Sequence, residues 1–141
     1  MKRFLLLSIF LTIPLTMLSQ SLSEYQWKNR LIVIFTETSN SREFQKQMQI
    51  LNKDQAGLND RKLKVIHVIP DKHQIVFPEK SGWQNSNLYQ KKESKVDFEV
   101  ILIGLDGGVK LREIKPVEIE KLFDLIDSMP MRKAEMRRND N

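Results

Sequence analysis

Apolar residues run along this chain in segments whose length and spacing predict its elements. Leu31-Ile32-Val33-Ile34-Phe35 is continuous and apolar, the pattern of a strand covered on both faces. A polar loop, Thr36 to Ser41, follows. Asn40 is placed to cap a helix, with Glu43 three residues on as its capping-box partner. Phe44, Met48, Leu51 and Leu58 recur at helical spacing, and Gly57 is expected to end that helix before Leu58. After an Asp60-Arg61 turn, Leu63 to Ile69 reads as a second buried strand, closed by Pro70. Two parallel strands joined by a helix make a right-handed βαβ unit.

Residues 71–95 are polar and poorly periodic, which predicts a long connection holding one helix around Ser86 to Lys92. Phe98 to Gly104 is a third strand. Asp106-Gly107 marks a tight turn, because such turns need residues that tolerate positive φ, and Val109 to Arg112 returns antiparallel. Pro116 suits the first turn of a closing helix whose core stripe is Leu122, Phe123, Leu125, Ile126 and Met129. Pro130 kinks or ends that helix. Met131 to Arg138 reads as a short basic helix or tail, and 139–141 as a disordered end. Met129, Met131 and Met136 suit packing back on the sheet, and Tyr25 and Trp27 are expected to cap one core edge. The order β-α-β, long connection, β-hairpin, α is the thioredoxin order. The fold class is α/β, with a mixed sheet of at least four strands flanked by helices.

The first 19 residues change the picture. Lys2 and Arg3 precede an apolar run from Phe4 to Leu18, and small Ser19 and Ser21 offer a cleavage site. The run is about 15 residues, against roughly 20 for a membrane span. Residues 1–19 therefore read as a secretory signal peptide, leaving a single domain over 22–138 with no stable membrane anchor after cleavage. The expected destination is the periplasm or the exterior. A lipid anchor is excluded, since the chain has no cysteine. Without cysteine there is neither a disulfide framework nor thiol redox chemistry. The whole chain carries 23 basic and 18 acidic residues, and loss of Lys2 and Arg3 leaves only a mild positive excess. Together with export, that gives no reason to expect a nucleic-acid partner.

The segments "YQWKNRLIVIF", "DRKLKVI", "LIGLDGGVKLR" and "LFDLIDSMPMRKAEMR" resemble the thioredoxin-like domain of unknown function 4174, from about Leu22 to Arg138. The resemblance implies a peroxiredoxin-related fold lacking the catalytic cysteine, with no established enzymatic activity. That family occurs as exported single domains in bacteria and as modules of animal matrix proteins with sushi repeats. In the animal members it implies adhesion and matrix binding, including sulfated glycans. The matching positions include Trp27, Arg30, Arg61, Asp106, Lys110, Arg112, Asp127, Arg132, Glu135 and Arg137. None brings a catalytic role with it. Leu105 stands where many members carry Lys before the Asp-Gly turn, which removes one cation beside the hairpin.

Four kinds of chemistry compete for these residues. His67, Asp71 and His73 lie close in sequence, but two histidines without cysteine make a weak zinc set. His67 is expected to be structural and His73 exposed, with no metal and no cofactor. Asp106-Gly107-Gly108 lacks phosphate-loop spacing and is explained by the hairpin. Glu37 sits in the loop after the first strand, where open α/β sheets bind ligands, and its carboxylate could serve as a general base. An enzyme without cysteine would use Thr36 to Ser41, with Arg61 or Arg112 nearby. The hydroxyls there also bend the chain and cap the helix. Last, Arg132, Lys133, Arg137 and Arg138 form a basic end that Arg30, Lys110 and Arg112 could extend. Guanidinium groups bind carboxylate and sulfate in two-pronged fashion. In the folded state Arg132 or Arg137 can instead pair with Asp127 or Asp106. The leading expectation is a non-catalytic module that binds an envelope protein or an anionic glycan, through candidates Arg30, Glu37, Arg61, Lys110, Arg112, Arg132 and Arg137. The oligomeric state is left open.

Overall fold

Strand alternation sorts the apolar runs onto two faces of one sheet. In the computed structural model, which describes residues 22–141, β1 (Arg30–Phe35) and β2 (Leu63–Ile69) pair in parallel, with Ile32 opposite Val65. Ile32, Ile34, Val65, Val100 and Leu102 point to one face. Leu31, Val33, Phe35, Ile66, Val68 and Ile101 point to the other. Both faces are covered, so β1 is apolar from Leu31 to Phe35 and buried along its whole length, Arg30 included. Each such side chain withdrawn from water stabilises the fold by roughly 1.5–3 kcal/mol. The expected signal peptide, residues 1–19, lies outside the described residues.

The sheet has six strands; with β3 (Lys72–Phe77), β4 (Gln84–Asn85), β5 (Glu99–Ile103) and β6 (Val109–Glu113), the order is β4-β3-β2-β1-β5-β6. The first face is covered by helix α1 (Arg42–Leu51), by α2 (Gln55–Asp60) and by α3 (Ile119–Asp127), through Leu51, Leu58, Leu122 and Ile126. The second is covered by short 3₁₀ turns at Leu22–Tyr25 and Leu88–Lys91. The final helix is α4 (Pro130–Asn139). Among the described residues no helix is long and apolar enough to cross a membrane.

Several expectations are corrected. Ser41, not Asn40, caps α1: its Oγ accepts from Phe44 N–H at 3.3 Å and donates to Glu43 Oε2 at 3.3 Å. Gly57 does not end the helix. A 3₁₀ turn at Asn52–Asp54 interrupts it, Asp54 Oδ1 accepts from Gly57 N–H at 2.8 Å, and α2 carries Leu58 into the core. The left-handed residue after α2 is Lys62, at φ 53°.

Residues 71–95 are not one long connection. β3 (Lys72–Phe77) turns back on β2 through Asp71, at φ 66°, and β4 (Gln84–Asn85) pairs with β3. The segment "KHQIVF" is half-buried and mixed in character, so alternation alone hides it. The helix expected near 86–92 is the single turn Leu88–Lys91. β5 (Glu99–Ile103) and β6 (Val109–Glu113) form the expected hairpin, with Gly107 at φ 84°. Pro116 precedes α3 instead of opening it, and Pro130 opens α4 instead of merely ending α3. α4 reaches Asn139, one residue into the end expected to be disordered. Tyr25 packs against the second face, but Trp27 is 62% exposed. Met129 packs on the first face, whereas Met131 is exposed.

Candidate functional site

At the C-terminal end of β1, Thr36 meets His67 of the neighbouring β2; both are fully buried, with Thr36 Oγ1 2.7 Å from His67 Nε2. The Thr36 hydroxyl gives its one proton to Thr38 O at 2.7 Å. It therefore accepts from His67 Nε2–H, which leaves Nδ1 as the ring's bare nitrogen. Nδ1 is buried and has no partner among the described residues. Phe44 lies flat on the imidazole, with centroids 3.6 Å apart and planes 9° apart, and Trp83 leans in at 5.4 Å. Burial in this apolar sandwich pulls the imidazole pKa down to about 4, so it stays neutral at physiological pH. The arrangement is a packed plug. Its hydroxyl is committed and its base is covered, so neither is open to solvent.

Glu37 is exposed above this plug, and its backbone N–H donates to Asp97 Oδ1 at 2.6 Å. The loop is thus pinned to the approach of β5. The Tyr89 phenol nearby is pushed up by burial and then by Glu37, Asp97 and Glu99. His73 corrects its expectation: it is buried, on the sheet face opposite His67, because β3 turns that position inward. Burial lowers its pKa, partly offset by Glu24.

The arginine candidates divide sharply. Arg30 is 1% exposed; its two Nη atoms reach Glu135 at 3.2 and 3.3 Å, and Nη1 also donates to Arg61 O. Arg132, 3% exposed, donates from Nε to Asp127 Oδ1 at 3.0 Å and from Nη2 to Asp60 Oδ2 at 2.5 Å. Arg61 lies 3.8 Å over the Phe123 ring and grips Asp127 at 3.0 and 2.7 Å. Three guanidiniums thus meet the carboxylates of Asp60, Asp127 and Glu135. Burial raises the Asp127 pKa, but hydrogen bonds from Arg61 and Arg132 outweigh it and leave the carboxyl below its usual value. The network fastens the inner side of α4 to β1, α2 and α3. Arg30 and Arg132 are structural, which corrects their expected place on a ligand surface.

Lys110 pairs with Asp106 at 2.8 Å across the hairpin turn. Arg112 pairs with buried Glu99 at 2.7 Å and with Glu93 at 3.4 Å. Glu99 also accepts from the backbone N–H groups of Glu93 and Ser94. Arg137 alone of the seven candidates is a basic side chain in no ion pair among the described residues. It is exposed on the outer side of α4 with Lys133 and Arg138. The one carboxylate within α4, Glu135, faces inward, so the charged side chains on the outer side of the helix are cations, with Asp140 beside Lys133 and Arg137 at its C-terminal end. The pairing of Arg132 with Asp127 was legible in their sequence proximity. The Thr36–His67 pair was not, because it depends on strand register.

A separate concavity of about 220 Å³ opens between the β5–β6 turn and the α3–α4 junction. Leu105, Leu125, Met129, Pro130 and Met131 dominate its lining.

A family model described as "Domain of unknown function (DUF4174)" matches residues 21–135. The chain is 26% identical over 125 residues to the Sushi repeat-containing protein SRPX of Rattus norvegicus. The Homo sapiens protein of the same name matches equally, over 82% of this chain. The chain spans only 26% of the length of these relatives. Among solved structures it is similar to the reduced 2-Cys peroxiredoxin of Plasmodium vivax, with a TM-score of 0.53 and 10% identity. That alignment covers 80% of this chain and 84% of the peroxiredoxin. At that identity the likeness is one of fold, and the fold is thioredoxin-like.

Proposed function

The chain belongs to the DUF4174 family, and from that premise we propose that it is an exported, non-catalytic module that binds an anionic glycan of the cell envelope or surroundings. The carrying observation is the split of α4 into two sides. Its inner side is neutralised by the Arg–carboxylate network, while Lys133, Arg137 and Arg138 stand outside with no ion pair among the described residues. Arg137 and Arg138, in the last turn of α4, also interact favourably with the helix dipole and so need no ligand to be stable there. The absence of cysteine removes the chemistry the fold otherwise performs. The buried Thr36–His67 pair supports a non-catalytic reading over an enzyme at Thr36 to Ser41. The basic, apolar, small-residue leader supports export to the periplasm or exterior.

The test is elution of the purified protein from an immobilised sulfated polysaccharide over a salt gradient. Retention at low salt is expected, with elution later than from a plain sulfonate resin. Lys133→Glu, Arg137→Glu and Arg138→Glu together should remove it. No retention at low salt, or elution identical to the plain resin, overturns the glycan reading. N-terminal sequencing checks export: a mature start at Gln20 or Leu22 is expected, and an intact Met1 refutes it.

A further inference from the structure

We infer that the groove on the second sheet face, over β5 and β6, binds a small organic monocarboxylate with an apolar body, and that Arg112 and Lys91 hold its carboxylate. This site is distinct from the cationic side of α4 and does not depend on it.

The apolar part follows from incomplete cover. Three helices lie on the first face, but on the second the short turns at Leu22–Tyr25 and Leu88–Lys91 only border a groove of about 540 Å³. Small-molecule sites commonly span roughly 300–1,000 Å³. Ile101, Ile103 and Val109 line this one, and Val109 is left 49% exposed. At about 3.4 Å per residue, Ile101 to Ile103 gives an apolar floor of roughly 7 Å. That length suits a short chain or a single ring, not a polymer.

The polar part lies at one end. Arg112 stands opposite Ile101 and Val109 opposite Ile103, so the guanidinium marks one end of the groove and the Asp106-Gly107 turn the other. Arg112 Nη1 donates to Glu99 at 2.7 Å. Glu99 is fully buried and is itself held by the backbone N–H groups of Glu93 and Ser94. The guanidinium is therefore fixed in place before any guest arrives, and part of its fork remains open to solvent.

The protein's own side chains show which guest charge fits. Arg112 Nε faces Glu93 Oε2 at 3.4 Å, and the Glu93 side chain is 72% exposed. A carboxylate reaching in from solvent thus already occupies the position, and so exposed a pair holds weakly. A guest carboxylate displaces it at little cost. Lys91 also lines the groove and forms no ion pair among the described residues. With Glu93 swung into water, two cations face the guest and only buried Glu99 offsets them. At the far end Asp106 is a carboxylate already paired with Lys110 at 2.8 Å. A second acid group on the guest would meet no cation there, so the groove selects a monoanion.

The experiment titrates the protein, labelled at its isoleucine and valine methyls, with octanoate. Saturable shifts are expected at Ile101, Ile103 and Val109 and not at Ile32 or Val65 on the first face. Lys91→Glu, at an exposed position, should weaken binding about tenfold. Glu93→Gln, also exposed, should tighten it about threefold, because the internal competitor is gone. Octan-1-ol and octanedioate should each bind about tenfold more weakly than octanoate. Lys133→Glu should leave binding unchanged, which separates this site from the glycan surface. Absence of shifts at millimolar octanoate overturns the proposal. So does octan-1-ol binding as tightly as octanoate, which would mean an apolar patch with no carboxylate site. A Glu93→Gln protein that binds no better than the parent would show that Glu93 does not hold the guest's place, and overturns it as well. Tighter binding of acetyl-Gly-Leu than of octanoate would make the occupant the C-terminus of a protein and overturn it too.

Discussion

Arg30 and Glu135 face each other as a two-pronged pair, 105 residues apart, at the first strand and the last helix, both withdrawn from water. Lys62 and Arg132 approach the same carboxylate at 3.7 and 3.6 Å. α4 has no apolar stripe of its own, and its buried residues are Arg132 and Glu135. The helix is therefore seated by charge. A buried ion pair adds little net stability over apolar groups of equal size, yet losing one partner strands the other.

Glu135→Ala should cost about 3 kcal/mol in urea unfolding, because Arg30 remains charged in the core. Arg30→Met combined with Glu135→Leu should recover much of that loss. A Glu135→Ala protein as stable as the parent would show that α4 is not held this way.

Thr36→Val should cost about 1–3 kcal/mol, since it leaves the His67 Nε2–H buried without an acceptor. Thr36→Ser keeps the oxygen and should lose far less. Equal losses for the two variants would mean that methyl packing and not the hydrogen bond matters.

His67 and Asp127 predict two windows of acid sensitivity. The folded His67 pKa is about 4 against an ordinary 6.5, so between those values the unfolded chain binds the extra proton. Stability contributed by the neutral ring is complete above about pH 6.5 and declines as pH falls toward 4, by roughly 2–3 kcal/mol in all. His67→Phe should flatten unfolding free energy across that window. Asp127 acts lower: its folded pKa is depressed below 3.8, so its contribution is present above that value and lost as pH falls further. Asp127→Asn should remove that second decline. An NMR midpoint for His67 near 6.5 would refute the first window.

Gly57→Ala should destabilise by about 1–3 kcal/mol, although alanine is the better helix former. A Cβ there would meet the Asp54 carboxylate that caps α2 and lie 2.6 Å from Phe123 Cε2. The Phe123 ring cannot yield freely, as Arg61 rests on its face. Thermal unfolding of the variant measures this, and a raised Tm would contradict it.

Much of the architecture was legible because its signals are local. Leu31 to Phe35 and Leu63 to Ile69 are apolar without break, which marks strands covered on both faces. Asp106-Gly107 marks the hairpin, since few other residues tolerate φ 84°. The β3 strand escaped notice because His73 and Gln74 are polar yet buried against β2. Their burial follows from a hairpin whose positive-φ residue is Asp71 in place of a glycine. Gly57 misled for a related reason: glycine at a helix end and glycine under a neighbouring ring look the same in sequence.

The amino-acid sequence by itself determined four of the six strands and their succession along the chain, the missing thiol chemistry and the abundance of basic residues near the end. All of these rest on residue type and near-neighbour spacing. Only the tertiary structure decided which cations are available to a ligand. Arg30 and Arg132 are buried by carboxylates brought from 105 and 72 residues away, while Arg137, five residues beyond Arg132, is left in solvent. A charge is a property of its residue, but its exposure depends on what the rest of the chain folds against it.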